Sequence, residues 1–137
     1  MQPEDARTAD VRAWLAKTRQ DVRRVEILLA ATPPDVEGAL FHCQQAAEKA
    51  LKAFLTWHDV RFRRIHDLEE IGAQCVEIDP ALGPLMQRAW ALSVYASRFR
   101  YPGAAYEPSV EEGQAALALT REVTEAILIR LPDEVRP

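Results

Sequence analysis

The stretch VEGALFHCQQAAEKALKAFLTWH, residues 36–58, decides the fold. Leu40, Cys43, Ala47, Ala50, Phe54 and Trp57 recur at steps of three and four, the spacing that lines one face of a helix. Gln44, Gln45, Glu48, Lys49 and Lys52 make up a polar face, with Glu48 and Lys52 four apart, where opposite charges support a helix. Read from the sequence, that face is solvated or turned toward a partner.

Working outward, Val11, Leu15, Thr18, Val22, Val25 and Leu29 place a mostly apolar stripe on a first helix, about residues 8–31. Thr32-Pro33-Pro34-Asp35 ends it and starts the helix of residues 36–58. A connector runs from Asp59 to His66. Asp67 with Glu70 is then a capping arrangement that opens a short helix, about 68–78. Asp79-Pro80 opens a fourth helix that reaches about Ser97, with Asp as cap and Pro in the first turn. Ser109 with Glu112 caps a fifth, which continues to about Leu131, where Pro132 stops it. Pro132 to Pro137 read as a loose tail. No segment alternates with period two. The expected fold is therefore all-α: one domain over residues 1–137, an up-and-down bundle of four long helices and one short one, with its core at about 8–131.

Composition narrows the function classes. A chain of 137 residues, 48% apolar, fits one domain with a full core. A net charge of -4 argues against broad, non-specific nucleic-acid binding. No apolar run approaches the roughly 18 residues of a membrane span, and the first twenty residues have none that would read as a signal peptide. The chain is thus expected in the cytoplasm, with Cys43 and Cys75 as reduced, buried thiols. His42 and Cys43 have no further ligand at a useful spacing, so neither metal nor cofactor is expected. His42 reads as bordering the core or an interface. The fourth helix is apolar nearly all round, which predicts a homodimer that buries Met86, Trp90 and Val94.

The basic residues gather in two segments. Lys49, Lys52, Arg61, Arg63 and Arg64 face only Asp59 over residues 49–64, and Arg88, Arg98 and Arg100 face no acid over residues 80–106. Counting reversals in an up-and-down bundle puts both loops at one end, together with two helix N-termini that attract anions. This count assigns Arg61, Arg63, Arg64, His66, Arg98, Arg100 and Tyr101 to one anion site, with Phe62, Phe99 and Tyr101 as stacking rings. The alternative is a set of ion pairs with Glu69, Glu70, Glu107 and Glu111.

Phe41-His42-Cys43-Gln44-Gln45-Ala46-Ala47-Glu48-Lys49-Ala50-Leu51-Lys52-Ala53 resembles the second-helix signature of the HEPN (higher eukaryotes and prokaryotes nucleotide-binding) domain family. His66-Asp67-Leu68 is similar to that family's histidine-aspartate-leucine turn, and Tyr95 through Arg98 to Tyr101-Pro102 is similar to its arginine-tyrosine-proline segment. The resemblance spans about residues 8–131. It implies a dimeric helical bundle that often partners a minimal nucleotidyltransferase, commonly as a toxin–antitoxin pair. In many members it also implies metal-independent ribonuclease activity, from an arginine followed by four to six residues and then a histidine, late in the chain. Here no histidine follows Arg98 or Arg100. Arg61 and His66 match by count but stand between the second and third helices.

The leading expectation is a dimer that binds nucleotide or RNA phosphate and pairs with a nucleotidyltransferase. A second reading is a metal-independent endoribonuclease toxin with a rearranged site, in which His66 moves the proton and Arg98 or Arg100 neutralises the phosphate. A third is an interaction module without a ligand.

Overall fold

The computed structural model describes residues 5–63, 67–99, 102 and 106–137. Its helices are α1 (Ala6–Ala30), α2 (Val36–Trp57), α3 (Leu68–Ile78), α4 (Gly83–Ala89) and α5 (Val110–Leu128), and no strand occurs among the described residues. Side chains cap the starts as the sequence predicts. Asp67 Oδ1 accepts from the Glu70 amide at 3.1 Å, Asp79 Oδ1 from the Ala81 amide at 3.1 Å, and Ser109 Oγ from the Glu112 amide at 3.1 Å. Asp5 and Asp35 do the same for α1 and α2.

Helix α2 is the axis of the molecule. Leu40, Cys43, Ala47, Leu51, Phe54 and Leu55 are buried, and so is much of its polar face: Gln44 is 0% exposed, Glu48 1% and Lys52 7%. The expectation of a solvated polar face is therefore corrected. Neighbours cover α2 on nearly every side, and the buried groups satisfy one another: Lys52 Nζ lies 2.8 Å from Glu48 Oε1, and Gln44 Nε2 donates to Glu48 Oε2 at 3.3 Å.

The order of helices differs from the reversal count. α1 and α2 are antiparallel, with Arg7 donating to the Trp57 carbonyl and the Asp35 amide to the Leu28 carbonyl. α5, however, runs in the same direction as α2. Gly113 packs beside Val36, and Thr120 Oγ1 donates to the Cys43 carbonyl at 3.4 Å. The extra reversal comes from the connector. Asp59 sits in the left-handed region at φ 56, with the Asp59 amide bonded to Thr56 O and the Val60 amide to Leu55 O, a Schellman ending. The chain then doubles back, putting Phe62 beside Lys52, the Arg61 carbonyl on Gln74 Nε2 at 2.9 Å, and Arg63 on Glu70 at 3.2 Å. This extended return does the work of one helix, so α3 ends near the end of α5, where Asp79 and Arg130 meet at 2.7 Å.

The predicted fourth helix is divided. Pro80–Leu82 is a 3₁₀ turn, α4 follows, and Trp90–Ala96 is 3₁₀ again. Ser93 Oγ donates to the Trp90 carbonyl at 2.7 Å, a side-chain competitor for the helix ladder. The predicted loose tail is a 3₁₀ turn, Asp133–Val135, with Val135 fully buried and the Glu134 carbonyl held by Arg12. Cys43 and Cys75 are free and buried, and no described helix is long and apolar enough to cross a membrane.

Candidate functional site

Of the residues that the sequence gathers into one anion site, the structure describes Arg61, Arg63 and Arg98, and it sets the first two apart from the third. Arg61 and Arg63 lie on the returning connector beside α3, where exposed Arg63 pairs with Glu70. Arg98 lies where the 3₁₀ stretch leaves toward α5, level with the first turns of α2. Phe62 stands beside Lys52, whereas Phe99 shares a hollow with Phe41, eleven residues earlier on α2 and so about 16 Å away along its axis. No hydrogen bond, ion pair or ring contact among the described residues joins the two groups. Arg64, His66, Arg100 and Tyr101 lie outside the described residues.

Around Arg98 the side chains form a connected cluster. The Arg98 guanidinium sits over the Tyr106 ring, 5.3 Å from its centroid, and donates to the Tyr106 hydroxyl at 3.0 Å. That hydroxyl donates to Glu112 Oε1 at 2.6 Å, and the Tyr95 hydroxyl donates to the same oxygen at 2.7 Å. Burial, helped by the bond to Glu112, pushes the Tyr95 phenol well above its ordinary range, so it stays a donor. Phe99 stacks on Tyr95 with an interplanar angle of 11° and meets Tyr106 edge-on. Beside these rings is a hollow of about 280 Å³ lined by Gly38, Phe41, Tyr95, Ser97 and Phe99, with Glu37 at its rim. Glu112 opens α5 with its amide capped by Ser109, so the start of α5 anchors the whole arrangement.

This cluster offers an exposed guanidinium and flat aromatic walls. One can hold a phosphate and the other can stack a base. Tyr106, Glu112 and Phe41 were not singled out from the sequence as parts of it. In the sequence Glu112 reads only as a capping residue, and Tyr106 closes the same acid-free segment as Arg98, which is the one signal that includes it.

A second polar cluster also escaped the sequence reading. Asp21 of α1 is 1% exposed. His42 Nδ1 lies 2.8 Å from its Oδ1, Lys49 Nζ 2.5 Å from its Oδ2, and Arg24 Nη1 3.3 Å from its Oδ1. Asp21 follows Thr18 by three, on the helical stripe itself, and an acid at such a position signals a buried partner. Of the proposed interface residues, Met86 is 1% exposed and packs toward Gly72 of α3, while Trp90 and Val94 are each 39% exposed. No group of three His, Cys, Asp or Glu among the described residues could hold a metal ion.

A family model described as the HEPN domain matches residues 11–130. Comparison with curated proteins and with solved structures gave no match.

Proposed function

Because the chain belongs to the HEPN domain family, we propose that it binds nucleotide or RNA phosphate at the Arg98 cluster. The observation that carries this reading is the Arg98 guanidinium held on Tyr106, beside a hollow walled by Phe41, Tyr95 and Phe99. One guanidinium N–H is spent on the Tyr106 hydroxyl, which leaves the rest of the fork for phosphate oxygens. Arg61 and Arg63 form a separate candidate patch on the connector.

The functional unit in this reading is a homodimer that buries Trp90 and Val94 beside an apolar hollow of about 430 Å³, lined by Ala73, Val76, Gly83, Pro84, Met86 and Trp90. It pairs with a minimal nucleotidyltransferase as the toxin or antitoxin of a two-component system. Family membership supports the partnership, which coexpression followed by size-exclusion chromatography tests.

Photocrosslinking tests the binding site. A 4-thiouridine-labelled oligoribonucleotide, irradiated with the protein and mapped by mass spectrometry, should attach to peptides holding Phe41, Phe99 or Tyr106. Attachment confined to the connector or to the α1–α5 surface would refute the assignment.

A further inference from the structure

The open strip of α2 carries chemistry beyond the Arg98 hollow. Apart from its last turn, the exposed or half-exposed positions of α2 are Glu37, Gly38, Phe41, His42, Gln45 and Lys49, one ribbon along the helix. The hollow lies at one edge of this ribbon and the Asp21 cluster at the other. Phe41 and His42 join them, their rings 5.3 Å apart and edge to face.

The Asp21 cluster is built to present positive charge outward. A single buried carboxylate faces two fixed cations, Lys49 and Arg24, as well as His42. Its charge is therefore overcompensated even with the imidazole neutral. Asp21 accepts from His42 Nδ1, which leaves Nε2 on the side away from α1, without a hydrogen-bond partner among the described residues. The ring is 24% exposed and Arg24 47% exposed, so both reach solvent from a rigid, buried anchor.

We propose that Phe41, His42, Lys49 and Arg24 extend the hollow into a site for one whole nucleotide, with the base against Phe41, the phosphate on Lys49 and Arg24, and His42 Nε2 donating to that phosphate when the ring carries both protons. This rests on the nucleotide reading above and adds a second phosphate position to that of Arg98. The Phe41 and His42 rings are neighbours, so a base on one and a phosphate beside the other lie next to each other. Glu37, at the rim of the hollow, is an acceptor for a base amino group.

Calorimetric titration with 5′-AMP, adenosine and inorganic phosphate tests the site. The wild type should bind 5′-AMP at least roughly tenfold more tightly than adenosine or phosphate alone, since base and phosphate are held together. Phe41→Ala and Arg24→Gln, both at solvent-reaching positions, should each weaken 5′-AMP by about fivefold or more, and Lys17→Gln should not. In ¹⁵N-detected spectra the His42 Nε2 resonance should move on adding 5′-AMP. Equal affinity for 5′-AMP and adenosine, or a stationary His42 resonance, would overturn the proposal. If Arg98→Ala abolishes RNA binding while Phe41→Ala and Arg24→Gln leave 5′-AMP untouched, this site falls and the Arg98 reading stands. If the wild type binds neither RNA nor 5′-AMP, both fall.

Discussion

Replacing Lys52 with Met tests the buried polar seam of α2 directly. Lys52 is 7% exposed, its Nζ lies 2.8 Å from Glu48 Oε1, and it sits over the rings of Trp14 at 5.3 Å and Phe62 at 5.6 Å. Met keeps nearly the same length and packs well against aromatic rings, so the volume term is small. The electrostatic term is large, because Glu48 is 1% exposed and loses the Lys52 ammonium. Breaking a buried pair costs about 3–5 kcal/mol. Glu48 still accepts from Gln44 Nε2 at 3.3 Å and from Gln45 Nε2 at 3.4 Å, which places the loss near the lower end, about 3 kcal/mol. Adding Glu48→Gln removes the buried carboxylate charge while keeping an acceptor for both glutamines. The double variant should recover about 2 kcal/mol of the loss. Urea unfolding followed by circular dichroism measures all three proteins. A Lys52→Met loss below about 1 kcal/mol, or a double variant no better than the single, would show that Glu48 is solvated and the seam is not as described.

Asp59→Gly should stabilise the fold by about 0.5–1 kcal/mol, since Asp59 holds φ 56 in the Schellman turn and its exposed pairing with Arg7 at 3.4 Å contributes little; a loss of stability in thermal melts would contradict this. Burial pushes the Cys43 thiol up to about 11 and the Cys75 thiol up to about 12, from an ordinary 9.0, so a thiol-disulfide reagent at pH 8 should label the native chain only as fast as it opens. The same shifts set a sign: above pH 9 the unfolded chain loses thiol protons that the folded chain keeps, so stability should fall between pH 9 and 11, as chemical denaturation at several pH values would show. Trp90→Glu should convert a dimer into monomer in light scattering at micromolar concentration, and a monomeric wild type would refute the proposed interface.

Much of the fold was legible because helix signals are local. Asp67 with Glu70, Asp79 with Pro80, and Ser109 with Glu112 mark starts that the structure places at the same residues, and the period of residues 36–58 marks α2 correctly. Three features were not legible, and each depends on contacts distant in sequence. Gln44, Glu48 and Lys52 read as a surface, because a helix buried on nearly all sides by its neighbours looks amphipathic when its polar groups satisfy one another. The connector's return along α2 has no periodic signature, so the reversal count missed it and put Arg61 and Arg98 in one place. The tail gave no sign that Val135 would be buried or that Arg12 would hold the Glu134 carbonyl. Arg98 was found from charge alone, whereas its partners Tyr106 and Glu112 needed the turn into α5 to bring them together.

The most direct measurement of the central claim is fluorescence anisotropy of a labelled single-stranded oligoribonucleotide with wild type, Arg98→Ala and Lys17→Ala, at low and at high salt. Phosphate contacts make affinity fall as salt rises. Wild type and Lys17→Ala should bind alike at low salt and weaken together on adding salt, while Arg98→Ala should bind roughly tenfold more weakly and show a shallower salt dependence. An Arg98→Ala protein that matches the wild type in both affinity and salt slope would contradict the account.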